Sequence, residues 1–153
     1  GLPAGLGTPV FDKLDACLGK ALFSIGAVKA VEIGDGIDAA RAKGSSNNDG
    51  FFHDADGAIK KSTNHAGGVL GGISDGSDLI LRAHIKPTPS ISSPQNTVNQ
   101  DGEDIQIRIK GRHDPVIVPR AVVVVESMTA LTLVDALLTG MGARMENLKK
   151  VWK

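Results

Sequence analysis

The sequence predicts an α+β domain built on antiparallel sheet, and three observations carry that expectation. Apolar, β-prone segments come in adjacent hairpin-like pairs, the two long helical patterns lie near opposite ends of the chain, and no βαβ unit recurs. No internal repeat with a period of roughly 20–50 residues is present. At 153 residues, 41% of them hydrophobic, the chain is one domain's worth of sequence with enough apolar surface for a core. With four Phe, one Trp and no Tyr, that core is expected from Val, Ile, Leu and Ala.

Thr8-Pro9 reads as a helix start, Thr8 as N-cap and Pro9 in the first turn. Val10, Leu14, Leu18 and Leu22 follow at i+4 spacing and predict an amphipathic helix to about Ile25, weakened at Gly19. Val28–Ile33 reads as a short strand, stopped by Gly34-Asp35-Gly36. After one short helical stretch, Gly44–Gly50 (GSSNNDG) is expected to be a polar, mobile loop. Phe51–His53 and Ile59–Thr63 flank Asp54-Ala55-Asp56-Gly57 as a hairpin. Asp78–Lys86 is a further strand, and Glu103–Ile109 alternates Ile105, Ile107 and Ile109 on one half-buried face. Ala121–Thr139 contains neither Gly nor Pro and is too long for a typical strand. Pro119 before it and Gly140 after it mark a helix, apolar nearly all round and so expected to be buried. Residues 140–153 form a basic tail or short helix.

The charge balance narrows the functions. Seventeen basic and 17 acidic side chains cancel, which disfavours nucleic-acid binding through the phosphate backbone. An anionic ligand would have to be met by a few placed cations. Cys17 stands alone, so no intramolecular disulfide is possible, in keeping with a reducing, cytoplasmic setting. No segment is expected to reach the roughly 20 apolar residues that span a bilayer, and no membrane partner is expected. The N-terminal GLPAGLG lacks the charged and apolar regions of a signal peptide. Without an initiator Met, the chain reads as processed, trimmed or cut from a longer protein.

Several motifs could carry chemistry. Ala66–Gly72 (AGGVLGG) lets a ligand approach the backbone, but its glycine spacing matches neither common phosphate-binding pattern, which favours a turn or close strand packing. Asp54-x-Asp56-Gly57 begins like a calcium loop, yet Ala58 and His65 fall where ligands are required, so a hairpin turn is the better reading. His53, His65, His84 and His113 have no metal-ligand spacing, and no metal site is expected. No GxSxG elbow supports a serine nucleophile. In Lys86–Ser90 (KPTPS), Pro87 and Pro89 stiffen an extended loop that presents Lys86, Thr88 and Ser90 in fixed directions. That suits a small-molecule site or a rigid surface turn. Arg112-His113-Asp114 sets a cation, an imidazole and a carboxylate on a loop between rigid elements, as a functional group or as an ordinary surface pair.

Taken together, residues 1–16 (GLPAGLGTPVFDKLDA), 24–36 (SIGAVKAVEIGDG), 64–76 (NHAGGVLGGISDG), 86–91 (KPTPSI) and 111–122 (GRHDPVIVPRAV) resemble the C-terminal part of chorismate synthase, in family order. The resemblance implies a β-α-β sandwich, antiparallel sheets enclosing buried helices, with residues 1–153 as its C-terminal domain. It implies a lyase of the shikimate pathway of aromatic amino acid biosynthesis, converting 5-enolpyruvylshikimate 3-phosphate to chorismate and phosphate with reduced FMN. NADPH is the flavin's reductant in some members, and the family assembles as a cytoplasmic homotetramer.

By position, the resemblance implies flavin contacts from Gly26, Ala27, Gly71, Lys86, Pro87, Thr88, Pro89, Ser90 and Arg112, with Asp114 as the catalytic acid/base residue. Arg112 and Lys86 have the charge for an anionic flavin. Gly26 stands where many relatives have Asn or Pro, and Val116 where Cys is frequent. The family's N-terminal half supplies two catalytic histidines, an RRPGQ-type arginine cluster and an RSS flavin segment, none of which occurs here. This chain is therefore expected to be inactive alone. The competing expectation is a non-catalytic oligomerisation or scaffold domain.

Overall fold

The leucine stripe organises the fold. In the computed structural model, which describes residues 2–152, Leu14, Leu18 and Leu22 are fully buried on helix α1 (Leu14–Phe23). Each such burial stabilises the chain by about 2 kcal/mol. Leu14 and Leu18 join Val69 in a core cluster, against which Ile33, Leu79, Leu81, Leu133 and Ala136 pack.

Among the described residues, four antiparallel two-stranded ribbons follow. β1 (Val28–Ile33) pairs with β6 (Leu81–Ile85), from Val28 opposite Ile85 to Ile33 opposite Leu81, with a bulge between Val28 and Ala30. β2 (Phe51–His53) pairs with β3 (Ile59–Lys61), β4 (Val69–Leu70) with β5 (Ile73–Ser74), and β7 (Gln95–Val98) with β8 (Asp104–Ile107). A 3-10 turn spans Gly36–Ala40. The chain closes with α2 (Val118–Gly142) and α3 (Met145–Val151). The α+β class, the antiparallel pairing, β1 and the β2–β3 hairpin agree with the sequence reading. At the hairpin turn Asp54 Oδ1 accepts the amides of Asp56 and Ala58 at 3.0 and 2.8 Å, an Asx turn.

Other expectations are corrected. The first helix starts at Leu14, not after Thr8: Thr8 N–H donates to Asp12 O, and Val10 takes a positive φ of 71°. A tertiary contact sets this start, because Leu14 N–H donates to Gly72 O at 2.7 Å. The Gly44–Gly50 loop is not loose; Asp49 is buried and Asn47 donates to Asp35 at 2.8 Å. The alternation in β8 is real, but Ile105 and Ile107 are exposed rather than half-buried. β7 escaped the reading because Gln95–Val98 is polar. Its signal was the Asx turn after it, where Asn99 Oδ1 accepts the amides of Asp101 and Glu103.

The helices are not buried as expected. α2 has no buried residue, and Val122, Val123, Val124, Leu131, Val134 and Leu138 are exposed. α1 covers one side through Leu133 and Ala136, and the other apolar sides have no cover among the described residues. α2 also overturns the expectation that no segment reaches bilayer-spanning length: it has 25 residues, and an 18-residue stretch of it has a mean hydropathy of 1.9, so by length and composition alone it could cross a bilayer. It runs through Gly140 instead of stopping there. Three of its hydroxyls are satisfied within the helix, Ser127, Thr129 and Thr132 donating to the carbonyls of Val123, Val125 and Met128.

Candidate functional site

The β1–β6 ribbon brings together two segments that lie far apart in sequence. Gly26 and Ala27 precede β1, and Lys86–Ser90 follows β6. Lys86 N–H donates to Ala27 O at 2.7 Å, closing that end of the ribbon. Ala27 holds φ at 69° beside the bulge. For a non-glycine residue this left-handed conformation costs about 1 kcal/mol, and such strain concentrates where backbone must be presented in a set direction.

From Lys86 to Ser90 the chain lies outside any strand or helix. Gln95 Nε2 donates to Pro89 O at 2.8 Å, which ties this loop to β7. Thr88 Oγ1 is buried and has no hydrogen-bond partner among the described residues. Buried hydroxyls are normally satisfied, so Thr88 is the atom here that most plainly fits a polar ligand. Lys86 is exposed beside it.

Gly71 sits at the tip of the β4–β5 hairpin with φ of 60°, and a Cβ there would meet nothing within 4 Å. Its backbone is therefore open to a flat ligand. Gly67 and Gly68, by contrast, serve packing: a Cβ on Gly67 would collide with the backbone of Gly34, and one on Gly68 would lie 2.6 Å from Asp78 O. The glycine segment thus divides into a packing part and one open tip.

The third group lies on the loop before α2. Asp114 is held between two guanidiniums, Arg112 Nη2 at 3.4 Å and Arg120 Nη1 at 3.0 Å. His113 turns to the carbonyl of Ile109 at 3.2 Å. Of the expected site residues, the structure joins Gly26–Ala27 to Lys86–Ser90, and Arg112 to Asp114. Among the described residues, no hydrogen bond or ion pair links those two groups to each other or to Gly71.

Sequence reasoning missed a buried ion cluster behind the glycine hairpin. Lys61 Nζ lies 3.1 Å from Asp49 and 2.7 Å from Asp75, and also donates to Asn64 Oδ1 at 3.3 Å. These charged side chains are 4–8% exposed. Asp49 also accepts from Thr63 Oγ1 and from the amides of His65 and Ala66. Burial alone would raise the Asp49 carboxyl, but hydrogen bonds from Ala66, Thr63, His65 and Lys61 hold it well below the usual carboxylate range. Asp75 is likewise lowered: its burial is outweighed by Lys61 and Ser77. Burial would lower Lys61, and hydrogen bonds to Asp75 and Asp49 raise it instead. The cluster clamps both ends of the segment that carries Gly71. No local pattern marks it, because Asp49, Lys61 and Asp75 stand far apart in the sequence.

Two smaller polar groups line the same region. His65 Nδ1 is 2.7 Å from Asp35, and His84 Nε2 is 3.2 Å from Glu32. The hydrogen bond with His84, helped by the Ile37 amide, lowers the Glu32 carboxyl. Among the described residues no His, Cys, Asp and Glu group has the arrangement of a metal site.

The helices and antiparallel ribbons make the chain an α+β protein, and its candidate site groups are a proline-flanked loop, an open glycine tip and a carboxylate between two arginines. The comparisons name the family. A family model described as chorismate synthase matches residues 1–138, and the chain belongs to that family. The chorismate synthase of Lachnoclostridium phytofermentans is 65% identical over 153 residues, covering 100% of this chain and 42% of that protein. That of Methanocella arvoryzae is 59% identical over 141 residues, 92% of this chain and 38% of the relative. A crystal structure of a chorismate synthase superposes with a TM-score of 0.72 at 34% identity, covering 97% of this chain and 38% of that one. The chain thus spans about two fifths of the length of the relatives it matches.

Proposed function

We propose that this chain is the C-terminal domain of a chorismate synthase and forms one wall of a reduced-FMN site. The intact lyase would convert 5-enolpyruvylshikimate 3-phosphate to chorismate and phosphate. The observation that carries this reading is the pairing of Gly26–Ala27 with Lys86–Ser90 at one ribbon end, where Thr88 Oγ1 is buried without a partner among the described residues.

The residues fit the cofactor. Lys86 and Arg112 are exposed cations for its anionic groups. Thr88 would give it a hydroxyl contact, Pro87 and Pro89 hold that loop rigid, and Ser90 adds a second hydroxyl. Gly26, Ala27 and Gly71 would meet it with backbone. When bound, reduced FMN supplies electron density to the reacting ring as phosphate leaves. Asp114 would hold or move a proton at the flavin's reactive ring nitrogen, provided its carboxylate comes within hydrogen-bond reach.

The remaining site belongs to the longer proteins of the family, so the isolated chain would be inactive. We place the intact enzyme in the cytoplasm as a homotetramer, its flavin reduced by NADPH or by a separate reductase. The exposed apolar sides of α2 support a second reading, an oligomerisation or scaffold role.

Flavin-fluorescence titration separates the two. The test uses this chain alone and a full-length host, the L. phytofermentans synthase with this chain in place of its matching segment. Saturable FMN binding by the host, weakened by Arg112→Ala, supports the lyase reading. A host that neither binds FMN nor turns over leaves the scaffold reading.

A further inference from the structure

We propose that Arg120 is the standing counter-ion of Asp114, a positioning residue that leaves Arg112 free to bind the anionic ligand. The inference rests on the flavin-site reading above and adds to it a residue that is not among the expected site residues.

Asp114 has two cationic partners where one would suffice. Arg120 Nη1 lies 3.0 Å from Oδ2, and Arg112 Nη2 lies 3.4 Å from Oδ1, so each guanidinium takes a separate oxygen. The two arginines are rooted differently. Arg120 is the third residue of α2, its amide donating to Ile117 O at 3.0 Å. Long side chains on a helix lean toward its N-terminus, which carries this guanidinium back over the loop that bears Asp114. Arg112 sits on that loop, next to Gly111 with φ of 137° and open space around it; both side chains are largely exposed, 84% for Arg112 and 73% for Arg120, so the difference lies in the backbone that carries them.

The helix-borne arginine is therefore the fixed partner and the loop-borne one the exchangeable partner. If Arg112 turns to a polyanion, Asp114 keeps a cation on Oδ2 and does not pull it back. His113 does not compete, because its ring engages Ile109 O. Arg108 and Lys110 lie nearby in sequence, but neither is ion-paired with Asp114 among the described residues.

The test is FMN affinity at low ionic strength, by fluorescence titration of the full-length host. Arg120→Gln should weaken FMN binding by roughly three- to fivefold, the scale of an exposed ion pair, because Asp114 then holds Arg112. Adding Asp114→Asn to that variant should restore the affinity, and Arg120→Lys should stay near the parent value. A fold defect would not be rescued by Asp114→Asn. Unchanged affinity in Arg120→Gln, or equal weakness in the double variant, overturns the proposal. Arg112→Ala is the control: unchanged affinity there removes the flavin-contact reading itself, whereas a loss there without one in Arg120→Gln removes only the role given to Arg120.

Discussion

Lys61→Met should destabilise this chain by about 3–5 kcal/mol, the usual result of removing one partner from a buried ion cluster. At 2.7 and 3.1 Å from Asp75 and Asp49, with an effective dielectric of about 20, each attraction is worth roughly 5–6 kcal/mol before desolvation. Dehydrating the charges offsets most of that, so the intact cluster contributes little net stability. Methionine fills the space but leaves two buried carboxylates facing each other. The assay is urea unfolding at several pH values. Near pH 7 that loss is a large share of a typical domain's stability of about 5–15 kcal/mol. The deficit should shrink at acid pH, where a proton can take the place of the ammonium. Adding Asp49→Asn and Asp75→Asn should recover part of the loss at pH 7. A deficit under about 1 kcal/mol, or one that does not change with pH, would show that the three charges do not act as a unit.

Three further outcomes are expected. Folding of the unaltered chain should be acid-sensitive: Asp49 and Asp75 are lowered in the folded state, so their contribution is complete above the unfolded carboxylate value of about 4 and is lost as pH falls through the folded values. A urea midpoint that holds steady well below pH 3 would contradict this. Leu18→Ala, at a fully buried core position, should cost about 2–5 kcal/mol by thermal melting, and a loss below about 1 kcal/mol would mean the core collapses around it. In the full-length host, Asp114→Asn should lower turnover by orders of magnitude while FMN still binds, and near-normal turnover would take Asp114 out of its assigned role.

The sequence by itself determined what local periodicity and turn chemistry can encode. The spacing of Leu14, Leu18 and Leu22 named the buried face of α1, Val28–Ile33 marked β1, and Asp54–Gly57 marked a hairpin. It also supplied the family motifs, because KPTPS and GRHDP are contiguous. Tertiary structure decided whatever depends on partners distant in the chain. The first helix begins at Leu14 because the carbonyl of Gly72 receives its amide. Asp49 is buried because Lys61, Thr63, His65 and Ala66 converge on it. α2 carries the pattern of a buried helix, but burial requires neighbours on every side, and the described chain supplies them on one. Arg120 reads as one exposed cation among many until the first turn of α2 brings it onto Asp114. Hydropathy records what a side chain would gain by burial or pairing; only the packed chain determines which partners it has.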